Sequence, residues 1–190
     1  MAAAVNKPLI KKNHMEIHWH DYASTDGLVS IKKESLPAKA SVIGRVGIMM
    51  LACGTGAWRV RSSMNELSEL MEVTCTADIG LMSINYTCFD GDNSFSQSLC
   101  LTSTGVNTSQ LNRLEKFVID FKSDHLNQSC EKIHSMLDDI EKIHGLYTPN
   151  TLAAAAALAC GAFTFLLGGG IVEILCAFVG AGIGNYTRCR

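Results

Sequence analysis

Between residues 146 and 187 the chain carries one charged side chain, Glu173, while most of its other charges lie before that stretch. A segment so long and so uncharged must be enclosed by protein or by lipid. Residues 152–167 (LAAAAALACGAFTFLL) hold no charge at all, Gly168, Gly169 and Gly170 interrupt, and residues 171–184 resume with Glu173 as the sole charge. The first run, 16 residues long, rises about 24 Å as a helix against about 30 Å of hydrocarbon core. Thr151 and the glycines, or Asn185, Tyr186 and Thr187, extend each run to near spanning length. Small residues dominate both runs and permit close helix–helix contact. The pattern predicts a transmembrane hairpin over residues 150–187, with two helices joined at Gly168, Gly169 and Gly170. A lone Ala-rich core helix is the soluble alternative, but burying two successive runs needs a much larger protein around them.

Charge also orients the hairpin. Lys142 precedes the first run, Arg188 and Arg190 follow the second, and the connecting glycines lack any Lys or Arg. The positive-inside rule then puts both ends, and the domain before them, in the cytoplasm. Residues 1–41 contain no apolar run of signal-peptide length, in keeping with that orientation. The expected location is the plasma (inner) membrane, with several passes and a cytoplasmic N-terminal domain.

Residues 1–37 show no periodicity and read as a flexible leader, with Pro37 a plausible boundary. Residues 38–53 form a helix apolar over most of its circumference (Val42, Ile43, Val46, Ile48, Met49, Met50, Leu51), so it is buried on more than one side. Gly54 and Gly56 break it, and a second helix covers residues 58–71, with Val60, Met64, Leu67 and Met71 on one face. Alternation then predicts strands: Val73, Cys75 and Ala77, followed by Met82, Ile84, Tyr86 and Cys88. The polar cluster at residues 90–94 predicts a five-residue hairpin loop before a returning strand with Phe95, Leu99 and Leu101. Two amphipathic helices follow, one with Leu111, Leu114, Phe117, Val118 and Phe121, capped by Asn107 or Thr108, the other running from Leu126 to Ile143, with Gly145 at its C-cap. The expectation is an α+β domain over residues 38–145, helices packed on a small antiparallel sheet.

The net charge of −2, from 16 basic and 18 acidic residues, excludes a basic nucleic-acid binder. Eight cysteines lie far apart with no Cys-x-x-Cys, and read as reduced thiols packed like small hydrophobes. His14, His18 and His20 could hold a metal, but no matching ligand set follows, so they read as incidental surface histidines; His125, His134 and His144 read likewise. No catalytic order of Ser, His, Asp or Cys stands out, and no cofactor motif is present.

Four segments carry a family resemblance: ACGTGAWRVRSSMNEL at 52–67, CLTSTGVNTSQLNRL at 100–114, Tyr147-Thr148-Pro149 at the entry to the first apolar run, and LLGGGIVEILCAFVGAGIG at 166–184. In this order they resemble the ThrE-type (YjjP-like) threonine/serine exporters. The resemblance implies a multi-pass membrane protein with a cytoplasmic domain that exports small hydroxy amino acids. Members usually have more transmembrane helices, some supplied by a separate small membrane subunit. Two helices cannot enclose a polar path, so the chain is expected to be truncated or to need partner chains, as a homo-oligomer or with a second small membrane subunit.

Each candidate residue has two readings. Glu173, a carboxylate among apolar residues, either binds a substrate ammonium or coupling proton, or sits at the interface beside the turn. Gly168, Gly169 and Gly170 are a broken-helix substrate site or a tight turn. Arg59 and Arg61 meet anionic headgroups or a neighbouring subunit, or form a solvated face satisfied by Glu66 and Glu69. Thr102, Ser103, Thr104, Gly105 and Asn107 bind an anion through backbone N–H groups, or provide ordinary capping. The sequence thus favours a component of a secondary transporter for threonine, serine or similar small metabolites, without enzymatic activity. The alternative is a membrane-anchored ligand-sensing or hydrolase-like domain, using the polar strand face of Ser83, Asn85 and Thr87.

Overall fold

The computed structural model describes residues 17–23, 29–143 and 147–188. The chain divides into two compact units, residues 1–144 and 145–190. Gly145, His14, His144 and Arg190, all weighed above, lie outside the described residues.

The first unit is built around α1 (Leu36–Ala52), in which only Pro37 and Ala52 escape burial. Pro37 sits in the first turn, where its missing N–H leaves no helical bond unmade. The helix is apolar nearly all round because the sheet and three other helices surround it. Two glycines allow the closest approaches, Gly44 under the Tyr86 ring and Gly47 against Met64. Gly54, at φ +75°, turns the chain after α1. Helix α2 (Ala57–Leu70) then buries Val60, Met64 and Leu67 on one face.

Strands β1 (Thr74–Ile79), β2 (Ser83–Asp90) and β3 (Asn93–Cys100) form an antiparallel sheet in the order β1-β2-β3. Ile84, Tyr86, Cys88 and Leu99 are buried on its inner face, as the period-2 alternation expects. On the outer face Thr87 and Ser96 lie 2.8 Å apart, and Ser98 donates to Asn85 at 2.6 Å. The β2–β3 loop is tighter than the expected five residues. Asp90 still pairs with Asn93, leaving Gly91 and Asp92 as the loop, with Gly91 at φ +56°. Polar side chains serve a strand end as well as a turn, and a two-residue loop with positive φ follows the strand twist.

Helices α3 (Thr108–Ile119) and α4 (Cys130–Glu141) are capped by Asn107, which accepts from the Gln110 N–H, and Ser129, which accepts from the Lys132 N–H. A wide π-type turn, Phe121–His125, follows α3. Two short 3₁₀ turns lie within the segment read as a leader, Trp19–Tyr22 and Ile31–Lys33. Ile31 is completely buried, and its N–H donates to the Gln128 carbonyl at 2.8 Å. Part of that segment therefore joins the core. Turns of three or four residues carry no helical stripe, which is why periodicity passes over them.

The second unit is a pair of helices, α5 (Pro149–Leu166) and α6 (Ile171–Arg188). They pack through small residues, with Gly161 against Phe178 and Ile174, and Gly182 against Ala157. Among the described residues α5 alone is long and apolar enough to cross a membrane. Helix α6 has the same length, but its last turn of Asn185, Tyr186, Thr187 and Arg188 dilutes its apolar content.

Candidate functional site

Three places in the fold gather chemistry-bearing residues. The first is the junction of α1 and α2. The last carbonyls of α1 have no partners within the helix, and the loop after β3 supplies them. Gly105 N–H donates to the Ala52 carbonyl at 3.1 Å, and Asn107 N–H to that of Cys53 at 3.4 Å. These two N–H groups, weighed above as anion donors, are thus spent within the fold. The Asn107 side chain also donates to the Ile143 carbonyl at 2.9 Å, tying the end of α4 to the start of α3. Gly54, Gly56 and Thr104 border a shallow depression of about 470 Å³ with Leu51, Ile79 and Leu81. Thr102 and Ser103 are exposed.

Arg59 differs from expectation. Its partner is Glu115 of α3 at 3.0 Å, not Glu66 or Glu69, and its guanidinium lies 5.3 Å from the centre of the Trp58 ring. Arg59 points across the α2–α3 contact, where a carboxylate from another element is closer than those of its own helix. Arg61 is exposed.

The second place is the α5–α6 connection. Leu167 closes α5, Gly168 takes φ +82°, its N–H reaches the Phe165 carbonyl at 3.0 Å, and the Gly169 N–H reaches that of Thr164 at 3.0 Å. This pair of backward bonds is a Schellman motif, which ends a helix with a left-handed glycine. Glu173, in the first turn of α6, is exposed and packs its side chain toward Gly170. A carboxylate in a first helical turn faces the positive end of the helix dipole. Gly168, Gly169, Gly170 and Glu173 are thus brought together; the α1–α2 junction belongs to the other unit.

The third place was not legible in the sequence. Arg45, in the middle of α1, is only 2% exposed. Its Nη2 donates to Asp138 and, at 2.8 Å, to Glu141, while Nη1 donates to the His134 carbonyl at 3.0 Å. His134 is completely buried. The Ser41 hydroxyl donates to the Ala38 carbonyl at 2.7 Å, so its oxygen accepts from His134 Nε2–H at 3.0 Å. That fixes the neutral tautomer, with the Nδ1 lone pair turned toward Arg45 Nη1 at 3.5 Å. Burial first, and then the neighbouring Arg45 cation, push His134 down to about 3.

His20, from the first 3₁₀ turn, completes the cluster. Its Nδ1 lies 2.8 Å from Glu131 and its Nε2 3.0 Å from Asp138. Two carboxylates on the two ring nitrogens need two N–H donors, so the ring is an imidazolium. Its pKa is raised, chiefly by the hydrogen bond to Glu131, against the opposing effect of burial. For Asp138 burial opposes ionisation, but hydrogen bonds from Arg45 and His20 outweigh it and hold the carboxyl below its usual range. Trp19 stacks on His134 and lies over the Arg45 guanidinium at 5.9 Å. Trp19, His20, Arg45, Asp138 and Glu141, with Leu99 and Leu101, line a cleft of about 440 Å³, and His134 lies buried beneath Trp19 and Arg45. His20 and His134 are therefore not incidental. One signal was available: an arginine inside an otherwise apolar helix needs a buried counter-charge.

Residues 41–190 match the family described as ThrE, "Putative threonine/serine exporter". The chain belongs to the ThrE family. That description is of a transporter, and it implies a membrane protein. No curated protein and no solved structure matches the chain. Arg45, Glu131, His134, Asp138 and Glu141 all fall within the ThrE match, as do both glycine-rich turns, whereas Trp19, His20 and Ile31 precede it. The cleft thus joins residues of the ThrE region to an N-terminal segment outside it.

Proposed function

We propose that this chain is a component of a secondary transporter that exports threonine, serine or a similar small metabolite. In this reading α5 and α6 form a membrane hairpin at the plasma (inner) membrane, and residues 38–145 form a cytoplasmic domain. The ThrE match over residues 41–190 carries the proposal. The hairpin supports it. Leu158, Phe163, Phe165, Leu166, Ile171, Val172, Leu175 and Ile183 are all more than half exposed, an apolar surface suited to lipid and costly in water. The charge asymmetry of Lys142 and Arg188 about the uncharged turn favours both ends on the cytoplasmic side.

Two helices leave a polar substrate facing lipid, so transport needs further helices, from copies of this chain or from a second small membrane subunit. Glu173 and the adjacent glycines are the candidate substrate or coupling residues in that assembly. A carboxylate beside this turn complements an amino-acid ammonium, and glycines let backbone groups approach it closely. Cells loaded with labelled threonine test the proposal. Expression of the chain with its assembly should raise efflux, and Glu173→Gln should abolish the increase. Efflux identical with and without the chain overturns the transport reading, and full efflux by Glu173→Gln overturns the role of that carboxylate.

A further inference from the structure

Cys75 and Cys88 are direct partners in the β1–β2 ladder, and both side chains lie on its inner face, Cys88 buried and Cys75 half-buried. Their place in the ladder follows from the hairpin end, where the Gly80 N–H donates to the Ser83 carbonyl at 2.8 Å. Hydrogen-bonded and non-hydrogen-bonded pairs alternate outward from there. Ile79 with Ile84, Ala77 with Tyr86, and Cys75 with Cys88 are the non-hydrogen-bonded pairs. In such pairs Cα atoms approach to about 4.5 Å and side chains converge, inside the range of about 4.4–6.8 Å that a disulfide spans.

We propose that Cys75 and Cys88 are a redox-active cross-strand dithiol, which a low-molecular-weight disulfide oxidises to an intrachain disulfide. The Cys75 thiolate attacks one sulfur of the small disulfide, expelling one thiolate and leaving a mixed disulfide on Cys75. Cys88 then loses its proton and attacks the Cys75 sulfur, expelling the second thiolate. Two electrons pass from the cysteine pair to the small disulfide, which ends as two thiols.

The roles of the two sulfurs follow from their surroundings. The hydrogen bond from Cys88 lowers the Cys75 thiol, against burial, whereas donating that bond and being buried raise Cys88. Cys75 is thus the attacking sulfur and Cys88 the resolving one. Strand β1 is an edge of the sheet, so among the described residues no further strand covers Cys75 on that side. The other inward thiols of the unit are set apart: burial pushes Cys53 up to about 11 and Cys130 up to about 12. Cys100 is exposed and stands opposite Ser83.

Met82 lies between the two cysteines, which provides the test. Cyanogen bromide cleaves after Met71, Met82 and Met136, placing Cys75 in fragment 72–82 and Cys88 in fragment 83–136. The full chain in detergent is incubated with oxidised glutathione, blocked with N-ethylmaleimide, cleaved and weighed. The fragments should stay joined in the wild type and in Cys100→Ser, and separate on reduction. They should be separate in Cys75→Ser and Cys88→Ser. Separate wild-type fragments, whether Cys75 carries glutathione or only the blocking reagent, overturn the proposal. So do joined fragments in Cys88→Ser, which would assign the bond to another thiol. The wild-type readout stands even if the buried Cys88 substitution impairs folding.

Discussion

Replacing Gly44 with alanine tests how tightly α1 is seated on the sheet. A Cβ there would stand 2.3 Å from the Tyr86 hydroxyl oxygen and 2.5 Å from its Cζ. Tyr86 has little freedom to yield. It is 2% exposed, and its hydroxyl donates to the Ala40 carbonyl at 2.9 Å, one helical turn before Gly44. Overpacking of this kind costs about 1–3 kcal/mol, and displacing the ring loses a hydrogen bond of about 1 kcal/mol. Alanine's helix preference over glycine offsets about 1 kcal/mol. Gly44→Ala should therefore destabilise the first unit by about 1–3 kcal/mol. Tyr86→Ala should cost about 3–5 kcal/mol through the cavity it leaves. In the double variant the obstruction is gone, so the added methyl should stabilise by about 1 kcal/mol. The cycle then predicts a coupling of about 2–4 kcal/mol. Urea unfolding of the full chain in detergent, followed by tryptophan emission, measures it. Trp58 is 69% exposed, so the change comes chiefly from Trp19, packed on Arg45 and His134. Costs that add to within about 0.5 kcal/mol would refute the argument from close approach.

Other outcomes follow from the capped ends and the charged cleft. The folded pKa of His20 is raised above its ordinary 6.5, so its contribution is full below pH 6.5 and fades as pH rises through the folded value. Unfolding titrations should show that loss in the wild type and not in His20→Gln; equal slopes would exclude the imidazolium bridge. Asn107→Ala loses both the α3 cap and the bond to the Ile143 carbonyl, and should lower stability by about 1–2 kcal/mol in the same assay. Gly168→Ala forces a side chain to φ +82°, a cost of about 1–2 kcal/mol, which should appear as faster proteolysis within residues 167–170; unchanged cleavage would count against the Schellman turn.

Residues that act on their sequence neighbours were legible. Val60, Met64 and Leu67 mark α2 by spacing alone, Ile84, Tyr86 and Cys88 mark β2, and Asn107 announces the start of α3 by the chemistry of its amide. The charged cleft was not legible. Arg45 meets Asp138 and Glu141 over 90 residues away in sequence, and His20 reaches Glu131 across 111. No local period encodes such pairings. Residues 19–22 escaped notice because they are held from outside, by α1 and α4, and not by their own pattern. The exchange of Glu66 and Glu69 for Glu115 as the partner of Arg59 has the same origin, since tertiary neighbours compete with helical ones.

Arg45 has a consequence for how the chain sorts its segments during synthesis. Leu36–Ala52 is a 17-residue helix, apolar on nearly every side, and it leaves the ribosome well before α4. At about 25 Å it approaches the length of a membrane span. An unpaired arginine near its middle adds about 2.5–3.5 kcal/mol to the cost of insertion. Lys39, nearer the start, adds to the barrier. The same arginine loses its isolation once Asp138 and Glu141 arrive to neutralise it. One residue can thus keep α1 out of the bilayer early and fasten it inside the domain later. Helix α5 has no charged residue in its 18 positions and faces no such barrier. Between α1 and α5, both long and largely apolar, the charges of Arg45 and Lys39 separate the helix that packs inside protein from the one apolar enough to cross a membrane.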